Sequence, residues 1–238
     1  MSDVARRFGI GVVGAGMGAK PHALALQSLA DSIEVRGVYR RNRAELDAFC
    51  QTYGFTAADS YATLLSDPGV DAVLILTTPN AREELVAAAA RAGKHVLMEK
   101  PIERTLAAAE RIVSSCDAAK VKLGIIFQHR FRRASRLLAE AVAENRYGRL
   151  EAVHLVVPWW RPQVGYYDQP GRGTLAQDGG GVLITQAIHS LDLMLSLCGE
   201  VSAVTAMAKT TRLHEMETED FVSAGLEFAN GAVGAVMA

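Results

Sequence analysis

Along the first half of the chain, short runs of β-branched and aliphatic residues alternate with longer stretches whose apolar positions recur every three or four residues. That is the pattern of βαβ units built around a parallel sheet. It predicts strands at 8–13, 33–39, 72–76, 95–98 and 122–127, and helices at 21–30, 43–53, 81–92 and 105–119. In the last helix Leu106, Ile112, Val113 and Cys116 fall at helical spacing behind Thr105, a predicted N-cap. Beyond 127 the order changes. A helix at 134–144 and a strand at 150–157 precede an irregular stretch rich in Gly, Pro and Tyr, followed by a helix at 183–197 and strands at 201–209, 221–228 and 232–237. Asn230-Gly231 is a strong hairpin turn signal. The expected architecture is an α/β protein with an N-terminal parallel sheet, followed by an α+β domain with a mostly antiparallel open sheet. The expected domains are 1–127 and 128–238.

Composition narrows the function classes. With 238 residues, half of them hydrophobic, the chain can bury a sizeable core. A formal charge of −1 gives no field for nucleic acid or an anionic membrane surface, and the basic cluster 128–133 is too short to reverse that. Cys50, Cys116 and Cys198 are scattered and odd in number, so neither disulfides nor a zinc site is expected, and a reducing cytoplasm fits best. The N-terminal apolar run is too short for a secretory signal, and no run reaches transmembrane length.

Two segments carry candidate chemistry. The first runs Gly11-Val12-Val13-Gly14-Ala15-Gly16-Met17-Gly18-Ala19, after a strand and into a helix, and matches a dinucleotide turn. Gly14 permits the tight turn, Gly16 lets the backbone approach a pyrophosphate, and Ala19 allows close helix-on-strand packing. The helix N-terminus offers N–H groups to the phosphates. At the end of the second strand, where an NAD site usually places Asp or Glu, stand Tyr39, Arg40 and Arg41. Guanidinium groups without a carboxylate suit a 2′-phosphate, so NADP is preferred over NAD. The second segment, AGKHVLMEKP at 92–101, runs from a helix C-cap at Gly93 through a short buried strand to Glu99 and Lys100, with Pro101 as the stop. The carboxyl end of a parallel strand is where such sheets keep their chemistry.

Taken in order, the glycine turn, Thr78-Pro79-Asn80, AGKHVLMEKP, and GGGVLITQAIHSLDL at 179–193 resemble the glucose-fructose oxidoreductase, inositol dehydrogenase and rhizopine-catabolism family of NAD(P)-dependent oxidoreductases. The resemblance implies a Rossmann domain and a substrate domain whose open sheet commonly packs against another subunit, hence a homo-oligomer if that sheet is complete. It implies hydride transfer at a secondary alcohol of a sugar, cyclitol or related polyol. Lys100 corresponds to the family's active-site lysine and His189 to its active-site histidine. Met17, Thr78, Pro79, Asn80 and Glu99 join Gly14, Gly16, Ala19, Tyr39, Arg40, Arg41 and Lys100 on the cofactor side. A base or proton relay must reach the reacting hydroxyl, which suits both catalytic assignments. The alternative for His189 is a buried helix histidine satisfied by backbone.

One position departs from the pattern. Where many relatives carry an aspartate four residues before the histidine, this chain has Thr185, whose neutral hydroxyl cannot raise the lysine's proton affinity as a carboxylate does. Thr185 and Gln186 become candidate substrate hydrogen-bond partners instead. In the irregular stretch 158–174, Trp160 is a candidate apolar plane for a sugar, and Tyr167 and Arg172 are candidate polar contacts. The equal alternative is that the tryptophans pin the loop. His129 and Arg130 are weaker candidates. His214, Glu215 and Glu217 match no metal-binding spacing and read as a solvated polar turn.

Three functional readings follow: an NADP-preferring polyol dehydrogenase or reductase, a dihydrodiol dehydrogenase of the same family, and a binding-only regulator that retains the nucleotide fold. Keeping both Lys100 and His189 argues against the last. The chain is shorter than its relatives usually are, so a C-terminally truncated form with a bare sheet edge and poor thermal stability is expected.

Overall fold

The computed structural model describes residues 6–16 and 18–238. They form two compact units, one ending at Ile126 and the other spanning Phe127–Ala238.

In the first unit five parallel strands, β1 (Phe8–Val13), β2 (Ile33–Tyr39), β3 (Ala72–Ile75), β4 (His95–Glu99) and β5 (Leu123–Ile126), lie in the order β2-β1-β3-β4-β5. Helices α1 (Ala19–Ser28), α2 (Arg43–Tyr53), α3 (Tyr61–Ser66), α4 (Arg82–Arg91) and α5 (Leu106–Ala118) connect them. Strand alternation sends successive side chains to opposite faces. Val73 and Ile75 join Val13, Val96 and Met98 in a core with Val86, Ala89, Ile112 and Cys116. Leu74, between them, joins Ile10 and Val12 against Leu26, Leu46 and Cys50. Both faces of the sheet are thus covered, and the strands read as continuous apolar runs.

The caps explain the boundaries. Asn42, Ser60 and Thr105 each accept a backbone N–H from the residue three positions on, at the starts of α2, α3 and α5. Gly54 and Gly93 take left-handed φ values just past α2 and α4. Helix α3 was not expected, and two further details differ from the expected pattern. Helix α1 begins at Ala19 rather than at Pro21, because a proline in the first helical turn forfeits only an N–H that has no intrahelical acceptor. Leu97, expected to be buried like its strand neighbours, points away from the core that holds Val96 and Met98 and is 40 % exposed.

In the second unit β6 (Ala152–Val156), β7 (Val201–Lys209), β8 (Phe221–Phe228) and β9 (Val233–Met237) form a sheet ordered β6-β9-β8-β7. The two pairings β7–β8 and β8–β9 are antiparallel, while β6–β9 is parallel. Asn230 makes the hairpin turn, its side chain accepting from Ala232 N and donating to Cys198 O. Helices α6 (Arg133–Ala143) and α7 (Ile188–Cys198) accompany the sheet. Met194 and Cys198 of α7 pack on Phe228, Ala232 and Val236, so one face of the sheet has a core. Val204 and Met207 of β7 are exposed. The helix expected from 183 onward opens with a widened turn at Leu183–Ala187 before α7 proper. Among the described residues no helix is long and apolar enough to cross a membrane.

Candidate functional site

The chemistry of the first unit gathers at the carboxyl ends of β1, β2 and β3, where connections diverge to opposite sides of the sheet and open a crevice. Gly14 leaves β1 with φ +97°, and its N–H donates to Tyr39 O at 2.9 Å. A Cβ there would lie 3.0 Å from Leu76 C and Thr77 N, so conformation and space both require glycine. At Gly16 nothing lies within 4 Å of a Cβ position, which leaves the backbone open to an incoming group. Ala19 is 1 % exposed, so a small residue is closed in at this position. Met17 lies outside the described residues. Helix α1 starts with no side-chain cap and no acidic residue in its first turn; the Ala19 N–H turns back to Gly16 O at 3.0 Å, and the positive end of the helix still favours an anion.

These elements border a cavity of about 720 Å³. Gly14, Gly16, Tyr39, Arg40, Arg41 and Thr78 line it, together with Asn42, Glu45, Tyr61 and Thr77. Thr77 Oγ1 is buried and has no hydrogen-bond partner among the described residues, a vacancy that a polar ligand would fill. Glycine turn, uncapped helix and orphaned hydroxyl together fit a dinucleotide.

The wall beside Tyr39 amends the reading of its charges. Arg40 donates to Ala15 O at 2.5 Å and is ion-paired with Glu45 in the first turn of α2. A carboxylate therefore stands in the region expected to lack one. Its sequence signal was available: Asn42 followed three residues later by Glu45 is a helix-start pattern that places the acid in the first turn. Arg41, exposed on the same wall, has no ion-pair partner among the described residues.

At the end of β4, Lys100 is half-buried and precedes a cis peptide bond to Pro101. The Glu99 carboxylate bridges two groups, lying 2.8 Å from His22 Nε2 of α1 and accepting the Lys100 N–H at 3.0 Å. Burial works to raise the Glu99 carboxyl. The His22 hydrogen bond, the His22 and Lys100 charges and the Lys100 N–H outweigh it and hold the group below its ordinary value. Thr78 donates to Asn80 Oδ1 at 2.7 Å, and Pro79 opens the short turn Pro79–Ala81 leading into α4. Pro79, Asn80, Glu99 and Lys100 are not among the residues lining the cavity. Arg82, which follows, is 3 % exposed and was not singled out from the sequence. A cation in the first turn of a helix runs against the helix dipole, and that was the available signal.

In the second unit His189 sits on the first turn of α7, 7 % exposed. Its ring centroid is 5.2 Å from that of His129 and meets Phe127 edge-on at 6.2 Å. Burial, with the nearby Arg132 charge, lowers His129. Arg130 forms a two-pronged pair with Asp192 at 2.6 Å on each arm, which ties the turn Gln128–Phe131 to α7. Thr185 turns its hydroxyl back to Gly181 O at 2.8 Å.

Three of the expected substrate residues, Trp160, Tyr167 and Gln186, line a pocket of about 330 Å³. Gln186 is 4 % exposed and donates to the Tyr167 hydroxyl at 3.1 Å. Its Oε1 has no partner among the described residues. Burial pushes the Tyr167 hydroxyl up to about 12. Arg172 is not among the lining residues; it pairs with Asp178 at 3.2 Å and lies over the Tyr166 ring. His214 also lines this pocket, and here the expectation of a solvated polar turn fails. Its side chain is buried, with Nδ1 at 2.7 Å from Asp220 and Nε2 at 2.7 Å from Arg161 O, and Trp160 lies over the ring at 4.9 Å. Among the described residues no cluster of potential metal ligands occurs.

An open parallel sheet with a ligand crevice at its switch point defines a nucleotide-binding α/β protein. Comparison with known families makes this specific. The model of the Gfo/Idh/MocA oxidoreductase family, NAD-binding Rossmann fold, matches residues 8–127, and the Gfo/Idh/MocA C-terminal domain matches residues 135–238. The chain belongs to this family. It is 34% identical over 175 residues to the 1,5-anhydro-D-fructose reductase of Ensifer adhaerens, covering 73% of this chain and 52% of that protein. It is 29% identical over 236 residues to the myo-inositol 2-dehydrogenase of Thermotoga maritima, covering 95% and 67%. Among solved structures, the WlbA dehydrogenase of Bordetella pertussis in complex with NADH and UDP-GlcNAcA superposes with a TM-score of 0.90 at 31% identity, covering 98% of this chain and 67% of that one. The chain spans about half to two thirds of the length of these relatives.

Proposed function

We propose that this chain belongs to an NAD(P)-dependent oxidoreductase that moves a hydride between nicotinamide and a secondary alcohol or ketone of a sugar, cyclitol or related polyol. Residues 1–127 bind the dinucleotide, and residues 128–238 supply the substrate contacts. The observation that carries this reading is the cavity at the ends of β1 to β3, with its obligatory Gly14, uncapped α1 and orphaned Thr77 hydroxyl. The family's named reductases and dehydrogenases act on carbohydrate or cyclitol substrates by their names, which supports the substrate class.

NADP is the preferred cofactor in this reading. Glu45 neutralises Arg40, so Arg41 is the guanidinium left to receive a 2′-phosphate, and Arg40 frames it. The NADH is bound by the WlbA dehydrogenase and keeps NAD as the alternative cofactor for this chain.

A bound nicotinamide supplies the two-electron acceptor in one direction and the donor in the other. In oxidation the carbinol C–H bond breaks as hydride leaves, the O–H proton departs and a carbonyl forms. His189 takes that proton, and Lys100 stabilises the oxygen as negative charge develops on it. Glu99 and His22 hold the Lys100 backbone in place. Gln186 offers its unused Oε1 to a substrate hydroxyl, and Trp160 and Tyr167 supply a flat apolar surface against a ring. Thr185 and Arg172 are secondary contacts. The exposed face of the second sheet is assigned to a second copy of the chain. Three free cysteines suit a cytoplasmic setting.

The test is nicotinamide fluorescence in the presence of NADP⁺ or NAD⁺ across a panel of polyols, aldoses and cyclic diols. Turnover of a polyol, faster with NADP⁺, is expected. Turnover confined to aromatic cyclic diols moves the substrate class to a dihydrodiol. Dinucleotide binding with no turnover anywhere overturns the enzymatic reading in favour of a nucleotide-binding regulator.

A further inference from the structure

Arg82 presents an unusual arrangement. It is buried at the N-terminus of α4, where a positive charge is disfavoured by the helix dipole, and among the described residues it forms no ion pair. All of its resolved hydrogen bonds go to main-chain carbonyls. Nε and one terminal nitrogen donate to Thr77 O at 3.1 and 2.7 Å, and the other terminal nitrogen donates to Glu99 O at 2.6 Å and to Pro101 O. Glu99 and Pro101 are the two chain neighbours of Lys100, and Thr77 follows the adjacent strand and lines the dinucleotide cavity.

From this geometry we infer that Arg82 is a positioning residue for Lys100: its planar fork grips the main chain on both sides of the lysine and locks that turn to the Thr77 wall of the dinucleotide cavity. The inference rests on the assignment of Lys100 to catalysis and adds a residue to it. A guanidinium is suited to the task because its donors diverge in one rigid plane, so one side chain fixes two strand ends at once. Lysine, with a single point of charge on a flexible stem, cannot span both. A buried cation without a carboxylate in contact is costly as a packing element, and an apolar side chain would fill the space at lower cost. Desolvation accordingly draws Arg82 down to about 10, against the opposing charges of Glu99 and Glu103. The carbonyl fork is what the guanidinium provides that an apolar residue would not. His22 completes the frame from α1 by holding the Glu99 carboxylate that receives the Lys100 N–H.

The experiment compares Arg82→Lys, Arg82→Leu and Lys100→Met with the parent in three readouts: NADPH binding by fluorescence, steady-state kinetics on whichever polyol the parent oxidises, and amide exchange at Lys100 against the β1 amides. For Arg82→Lys the expectation is a fall in kcat of about 10²-fold at nearly unchanged KM, since misplacing a catalytic group by an ångström costs that much. NADPH affinity changes by less than about threefold, and exchange at the Lys100 amide rises at least about tenfold while β1 stays protected. Arg82→Leu shows the same pattern if it folds, and Arg82→Lys carries the test if it does not. Normal kcat and unchanged Lys100 exchange in folded Arg82→Lys overturn the inference. Equal acceleration of exchange in β1 also overturns it, because Arg82 would then be a general packing residue. The Lys100 assignment fails separately if Lys100→Met retains turnover, and the exchange readout stays decisive for Arg82 even in a chain that shows no turnover.

Discussion

The two cavities of this protein are built in different ways. The cavity of the first unit is built around a main-chain turn, a glycine whose φ no other residue adopts at ease beside an uncapped helix start, with Tyr39, Arg40 and Arg41 on one wall. The pocket of the second unit is made of side chains drawn from distant parts of the sequence, Trp160, Tyr167, Gln186, His214 and Asp220. A main-chain site recognises what all nicotinamide dinucleotides share, whereas a side-chain site can be altered one residue at a time to suit a particular ring or hydroxyl pattern.

The largest expected effect falls on chemistry alone. Lys100→Met lowers kcat by about 10³-fold in steady-state assays while NADPH titrations stay within about threefold of the parent; parallel losses in both would make Lys100 a cofactor ligand rather than a catalytic group. Next, Gly14→Val forces a β-branched side chain into a left-handed turn against Leu76 and Thr77, and weakens NADPH binding by about a hundredfold. Its companion in the second unit, Trp160→Ala, should leave that affinity untouched and raise KM for the sugar. If both variants weakened the dinucleotide alike, the division of labour between the two cavities would be wrong. Smaller still, Arg41→Ala reduces the preference for NADPH over NADH by about tenfold in competition titrations, the loss of one charge-assisted contact. An unchanged ratio would assign the 2′-phosphate elsewhere.

The smallest effect concerns acid stability of the second unit. Burial works to raise the Asp220 carboxyl, but hydrogen bonds from Thr211 and His214 hold it below its ordinary value of 3.8. A depressed folded value means the unfolded chain takes up the proton first as pH falls. The stabilisation is complete above the ordinary value and is lost as pH drops through the folded one. Urea midpoints of Asp220→Asn should therefore be lower than the parent's at neutral pH and should decline less between about pH 5 and about pH 3. Parallel declines would show that Asp220 is not the group responsible.

Most of the first unit was legible because its signals are periodic or obligatory. The strands β1 and β2, helix α2 and the Thr105 cap fall where alternation and capping residues place them. Helix α3 escaped because six residues are too few to show a period, although Ser60 marks its start. In the second unit β7 and β8 were equally readable, while the widened turn before α7 carries no breaker in Leu183–Ala187 to announce it. The site divides along the same line. Gly14, Gly16 and Lys100 sit at punctuated positions, where glycine or proline marks the chain. Glu45 and Arg82 left only a capping pattern and a cation set against a helix dipole, and His214 read as a solvated charge; what they pair with appears only in the fold. Long-range side-chain pairing leaves no local period, so a single sequence does not display it.

In the proposed mechanism Lys100 serves hydride transfer to a dinucleotide held at the ends of β1 to β3. A polyol found to be a substrate, deuterated at its reacting carbon, resolves this when the label is located by mass spectrometry after reaction with NADP⁺. The label is expected in the reduced dinucleotide for the parent, and to be nearly absent there for Lys100→Met although that variant still binds NADPH. Label released to solvent by the parent, or undiminished transfer by the variant, would contradict the account.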